Sequence, residues 1–497
     1  MRIFSAGTGA AGLTLLLAVT SSGATSENLR GFPAARAQRG FPTTSRPPQI
    51  RRDTVSQCST NGSFSFDGVS GAGNVAGGEY SAVAGGEFNQ ACGEYSGVAT
   101  GYDNIIENQA GTQTEYSFIG GGSENIANGE ATLIGSGESN TASARDASVG
   151  AGIDNTASGV GSMVGAGNLN MATGADSFAG AGGGNTAGGA ASFVGGGYYG
   201  SVSGTGNASF IGGGGSLCGC TSGPVNQISG SDSFVGAGDR NTVSANEAFL
   251  GSGQSNTINS GATYGAILGG ASNKLSGPYA SILGGYGNSA GGEYAAVAGG
   301  YGNTASSELS FAAGFHADAD EPGSFVWSDY VKGSALLEST AANQFMVRAS
   351  GGTFFYSNEA MTAGVELPSG EGAFTSLSDR NAKTGVVPLD DASILAKVAS
   401  LPVSAWRYKT DSGVRHVGPM AQDFYAAFGV GVDNRHIASI DEDGVALAAI
   451  KALDRDNGIL HRENALLRSN FERQHDEIAA LRGDVQRLEA TLHRGLR

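Results

Sequence analysis

Apolar and polar positions follow a fixed frame through the front half of the chain. Each frame is set by an asparagine in a Gly-x-x-Asn unit. Six residues before that asparagine stands an apolar side chain, from Val83, Val98 and Ile119 to Ile282 and Val297. Eight before it stands a small one, such as Ser81, Ser162, Ser233 or Ala295. Two after it stands another small or apolar one, such as Ala91, Ala157, Ala187 or Ile258. A spacing of two places side chains on one face of a short strand. The unit recurs every 15 residues at Asn74, Asn89 and Asn104, and again from Asn125 to Asn185. It returns at Asn226, Asn241 and Asn256, then at Asn273, Asn288 and Asn303. Such a period predicts a solenoid whose rungs bury their apolar side chains only against neighbouring rungs. Each rung should hold two short strands and two turns. The glycine three before each asparagine, from Gly71 and Gly86 to Gly285 and Gly300, permits a turn with positive φ, and asparagine suits the same turn. Stacked asparagines can also hydrogen-bond as a ladder. About 15 rungs at a strand spacing of ~4.8 Å predict a length of about 70 Å. The inward side chains are small, so one roll has a thin core and several rolls should pack side by side. The frame slips near residues 201–230, where a protruding loop is expected.

The pattern changes after His316. Gly323–Ser328 and Asn343–Tyr356 alternate aromatic or β-branched residues with polar ones and predict strands. Asp390 or Asp391 is placed to cap a helix over Ala392–Ala399, and Pro402–Tyr408 predicts a further strand. The tail carries two seven-residue seams. One runs Ile450, Asn457, Asn464, Phe471, Ile478, Val485, Leu492, and the other Leu453, Leu460, Leu467, Gln474, Leu481, Leu488. That is the pattern of a coiled coil, in which Asn457 and Asn464 trade stability for register. The predicted divisions are a signal peptide (1–24), a disordered Pro/Arg-rich linker (25–60) and β-roll repeats (61–315). A β connector (316–375), a mixed helix-and-strand domain (376–449) and a coiled coil (450–497) complete them.

Composition narrows the function. The chain has 84 Gly, 11 Pro and a net charge of -17, which argues against a nucleic-acid or anionic-membrane surface. Arg2, the apolar stretch Ala10–Val19 and the small residues Ser22-Gly23-Ala24 form a secretory signal pattern. No later stretch is apolar enough for membrane insertion. The expected location is therefore secreted or cell-surface. Cys58, Cys92, Cys218 and Cys220 are too few for a disulfide framework, and Cys218 and Cys220 fit alternate inward positions of one strand. The six histidines show no metal-ligand spacing, so neither metal nor cofactor is expected. Gly180-Ala-Gly182-Gly-Gly184 has part of a dinucleotide fingerprint, but it recurs within the repeat and no helix follows. Asp103, Asp154 and Asp239 are too sporadic for a calcium roll. Paired carboxylates for glycan cleavage are not matched at inward positions.

Repeats such as Ser162-Met-Val-Gly-Ala-Gly-Asn-Leu-Asn170-Met-Ala resemble the head repeats of trimeric autotransporter adhesins. That resemblance covers about residues 70–315 and implies a trimer of left-handed parallel β-rolls. The membrane-anchor strands of those adhesins do not follow. Instead come Ser378-Asp-Arg-Asn-Ala-Lys383, the helix, Pro402-Val-Ser-Ala-Trp-Arg-Tyr408 and Gly418-Pro-Met-Ala-Gln422. This ordered set, within residues 376–497, resembles the endosialidase-type intramolecular chaperones that cap phage tail spikes and fibres. Asn381-Ala382 stands where Arg-Leu is frequent in that family. The resemblance implies a mainly β homotrimer with an α+β chaperone domain. It also implies self-cleavage between Leu377 and Ser378 by a Ser378–Lys383 dyad. The chemistry is reasonable by itself, because a serine needs a base to become a nucleophile and a desolvated lysine can be one. Two other readings stay open: a trimeric adhesin or structural protein that keeps its chaperone, and a phage-type fibre or spike. The ligand of either would be a host surface or a glycan.

Overall fold

The computed structural model describes Cys58, residues 66–67, 73–107, 114–215, 226–331, Gly333, 335–410 and 413–495. The signal pattern 1–24, all of the linker but Cys58, and Cys218 and Cys220 lie outside these residues. The chain forms two units. One comprises residues up to Val326 with Glu338–Phe345, and the other Trp327–Leu337 with Met346 onward.

The first unit is a parallel β-solenoid of about 16 turns. Two-residue strands stack into two sheets, each strand lying between its equivalents on adjacent rungs. Val149 is opposite Ile134 and Val164, and Ala157 is opposite Ala142 and Ala172. The inward positions are those the pattern predicts. Ser162, Val164 and Ala172 are each 0% exposed, and so are their counterparts Val149 and Ala157.

The asparagines are buried inside one edge of this stack. Asn170 is 0% exposed. Its backbone N–H donates to Asn155 Oδ1 at 3.0 Å, and its amide donates to Ala166 O at 2.9 Å and Gly182 O at 3.1 Å. Its own Oδ1 accepts the backbone N–H and the amide of Asn185, each at 3.0 Å. The expected ladder therefore exists, and it satisfies buried polar groups along the axis. The ladder asparagines do not themselves take a positive φ. The preceding residue does so: Asp154 at φ 55°, Leu169 at φ 58°, Arg240 at φ 56°. That conformation costs about 1 kcal/mol or more in a non-glycine residue. It aims the N–H along the axis, so that Leu169 N bonds Ile153 O at 3.0 Å. The cross-rung bond offsets the strain.

Gly167 has φ +106°, and a Cβ there would sit 2.2 Å from Gly182 O and 2.6 Å from the Asn170 amide. Both backbone and neighbour forbid a side chain. We expect Gly167→Val to disrupt the rung, and Asn170→Ala to destabilise it by roughly 3 kcal/mol through orphaned buried groups. Thermal unfolding followed by circular dichroism checks both. Unchanged melting would contradict the ladder's role.

The ladder is interrupted at Gly200, whose N–H meets Asn185 Oδ1 at 3.0 Å, and Asn226 restarts it. Strands on both sides still pair, Phe193 with Phe210 and Ser201 with Gln227. The added residues thus lie between strands, and 216–225 fall outside the described residues. Stacking also continues past His316. Phe311 N bonds Ser324 O, and Phe325 N bonds Gln344 O, each at 2.8 Å.

A disulfide joins Cys58 to Cys92, with Cα atoms 5.6 Å apart. The four-cysteine count gave no reason to expect it. Nearby, Glu107 is buried in the solenoid. Burial pushes its carboxyl up, opposed by the Asn128 amide. A raised folded pKa means the fold holds the proton more tightly than the unfolded chain does. The resulting penalty is absent at low pH and grows as pH rises from the unfolded value through the folded one. We expect Glu107→Gln to raise the melting temperature at neutral pH, because the neutral amide carries no such penalty. The gain should shrink towards pH 4, and a pH series of melting curves reads it.

Near the start of the second unit, Asp329 is held by Arg348 at 3.2 Å and by the Ser350 N–H at 2.7 Å. The Ser350 hydrogen bonds, then Arg348, keep this carboxyl below its usual range. Strands Thr353–Tyr356, Gly364–Leu367 and Thr375–Ser376 form an antiparallel sheet. Helix α1 (Asp391–Ser400) is capped by Asp390, which accepts from Ala392 and Ser393 N–H. A hairpin pairs Val403–Trp406 with His416–Pro419. Helix α2 (Ala421–Phe428) and the long α3 (Ser439–Gly495) follow. Lys451 of α3 pairs with Asp391 of α1 at 3.1 Å. The buried apolar residues here are few: Phe424, Val445, Ala448, Ala449 and Ala452. Both predicted seams are exposed on α3, with Phe471 71% and Leu481 64% exposed. Among the described residues no helix is long and apolar enough to cross a membrane.

Candidate active site

The segment after the antiparallel sheet is built to double back. Leu377 N–H still bonds Gly364 O at 3.1 Å, so the sheet holds the chain up to that residue. Asp379 then accepts from Asn381 N at 2.9 Å and from the Asn381 amide at 3.1 Å. A single helical turn, Arg380–Ala382, follows, and Lys383 N closes it on Arg380 O at 3.2 Å. Short polar side chains favour such turns by bonding their own backbone. Folding back brings Lys383 Nζ to 2.5 Å from Ser378 Oγ.

The structure therefore brings together both residues expected to act, directly beside the Leu377–Ser378 bond. The turn-forming role of Asp379 and Asn381 was not read from the sequence. An Asp two residues before an Asn, next to a Ser, is the signal that could have shown it. The expected burial of Lys383 is not met within one chain, since Ser378 and Lys383 are both exposed. Around them Val386, Val387 and Leu389 are exposed at 75%, 74% and 59%. Apolar side chains so placed are available to be covered by another surface.

The other sequence motifs gather at a cleft of about 440 Å³ lined by Trp406, Tyr408, Pro419, Met420, Arg435 and Glu442. His416 stacks on Trp406 with ring centres 4.6 Å apart. His436 Nδ1 lies 2.9 Å from Asp433. Among the described residues no group of three His, Cys, Asp or Glu could hold a metal ion.

Residues 378–432 match a peptidase family described as the chaperone of endosialidase. The match opens on Ser378 and runs through the turn, α1, the hairpin and α2. The C-terminal part of the chain is thus similar to a chaperone and peptidase domain associated with trimer formation. No curated protein matches this chain.

Proposed function

We propose that this chain is an exported homotrimeric surface or fibre protein. Its C-terminal intramolecular chaperone promotes trimer assembly and then releases itself between Leu377 and Ser378. The observation that carries this reading is the 2.5 Å Lys383–Ser378 contact at the first residue of the family match.

The chemistry follows from the placement. Neutral Lys383 takes the Oγ proton as Oγ attacks the Leu377 carbonyl carbon. The C–N bond breaks, the proton passes to the departing Ser378 nitrogen, and Leu377 is left as an ester on Oγ. Water hydrolyses that ester. The cut happens once per chain. Desolvation of the amine would come from neighbouring copies covering Val386, Val387 and Leu389, which makes cutting a consequence of assembly.

Trimerisation is supported by the sparse core of the second unit and the exposed seams of α3, which a coiled coil would cover. The repeats are similar to trimeric adhesin heads, and a left-handed roll belongs to that proposal. Export is supported by the signal pattern and by the Cys58–Cys92 disulfide, a bond typical of oxidising compartments.

Mass spectrometry of the expressed full chain tests the reading. Expected are a mature start near Thr25, a product ending at Leu377, and a fragment of about 120 residues beginning at Ser378. A chain that stays uncut after assembly would sink the autoproteolysis and favour a retained chaperone.

A further inference from the structure

Charge is divided unevenly across the N-terminal end of this chain. Residues 25–57 hold Arg30, Arg36, Arg39, Arg46, Arg51 and Arg52 against Glu27 and Asp53. From Asp67 to Glu138 there are ten acids and neither Lys nor Arg. The Cys58–Cys92 disulfide ties the end of the first stretch to the rung of Asn89, within the second. Arg52 therefore lies within about 20 Å of that bond, at ~3.5 Å per residue.

A cleft of about 360 Å³ sits beside the disulfide, lined by Cys58, Val75, Phe88, Gln90, Tyr102 and Asp103. Val75 and Gln90 each follow a ladder asparagine and lie on the outward row of the second sheet. Later rungs place Thr141, Thr156 and Thr186 in that row, half-buried. Gln90 instead is 9% exposed, and its Oε1 is buried without a hydrogen-bond partner. A buried acceptor ordinarily has a donor. Negative charge and aromatic rings gather around it. Asp103 lines the cleft, and Glu87, Glu124 and Glu138 occupy the same turn edge on neighbouring rungs. Phe88 and Tyr102 meet edge to face with ring centres 5.6 Å apart.

We propose that this cleft is a docking site for an arginine of the chain's own Arg51–Arg52 pair. A guanidinium supplies what the cleft lacks: an N–H for Gln90 Oε1, a positive charge beside Asp103, and a flat cation to lie against Tyr102. A lysine ammonium is a strongly hydrated point charge and matches the rings less well. Charge selects the occupant. The next basic residue along the chain, Arg145, is already paired with Asp146 at 3.4 Å. The disulfide makes docking an intramolecular event at high effective concentration. Docking also offsets the repulsion among acids stacked at a strand spacing of ~4.8 Å. It stands independently of trimerisation and of self-cleavage.

The test uses the full chain in three forms: the parent, Gln90→Met with Asp103→Asn, and Arg51→Ser with Arg52→Ser. Met171 occupies the row of Gln90, and asparagine tolerates the φ of 56° at Asp103, so the cleft variant keeps its rungs. Trypsin cutting after Arg51 and Arg52 is followed by mass spectrometry, with cutting after Arg36 as the reference. It should be at least about tenfold slower in the parent than in the cleft variant. A labelled peptide of residues 46–56 is then titrated by fluorescence anisotropy. It should bind the arginine variant, whose cleft is vacated, at least about tenfold more tightly than the parent or the cleft variant. Equal trypsin rates in the parent and the cleft variant would overturn the docking. A peptide that binds none of the three forms would overturn the site. A peptide that binds the parent as tightly as the arginine variant would overturn the chain's own arginines as the occupant. Non-reducing mass analysis checks the disulfide in each form. If the cleft variant has lost it, the peptide titration of the other two forms decides.

Discussion

Ser378→Ala gives a folded trimer that is not cut. The substitution removes the nucleophile and almost no volume at an exposed position, so assembly should proceed unchanged. Its cleavage rate should fall by on the order of 10⁴-fold or more. Lys383→Ala should slow cutting by about 10²–10⁴-fold, the usual worth of a positioned general base. Lys383 Nζ is the group that touches Ser378 Oγ, at 2.5 Å. Asn381→Ala makes a useful companion. It removes the amide that closes the turn on Asp379 at 3.1 Å, and it should reduce the rate less than either dyad change. Denaturing gels over time read all of these. A Ser378→Ala chain that still releases the fragment beginning at Ser378 would show that the dyad is wrongly assigned.

Ile478→Asp together with Leu481→Asp should abolish the trimer. Both residues lie on the exposed seams of α3, at 51% and 64% exposure in the single chain. Burying a carboxylate there without a partner costs on the order of several kcal/mol per ion, repeated in every copy. The helix itself should survive, since neither residue holds it to α1. Cleavage should be lost with the trimer if, as proposed, the exposed dyad of one chain is covered by neighbouring copies. Sedimentation and gel analysis of one preparation measure both effects. Efficient cutting by a monomeric variant would separate cleavage from assembly.

The sequence was most legible where one physical rule repeats. The 15-residue period fixed the solenoid, and the alternation around each asparagine fixed which side chains turn inward. Both rest on backbone geometry that every rung shares. The Asp390 cap was legible for a similar reason, since it depends on residues within one turn of each other.

Other features required the fold. Cys58 meets Cys92 across 34 residues of chain, and no local spacing encodes that contact. Asparagine suits the turn, but which residue beside it takes the positive φ, such as Leu169 before Asn170, was shown only by the fold. Lys383, expected to be desolvated, is exposed in the chain. What the sequence determined alone was periodicity and local chemistry, since these follow from side chains close along the backbone. What the tertiary structure decided was the disulfide, the placement of strain and the exposure of the dyad, since each depends on which distant residues the stacked rungs and packed helices bring together.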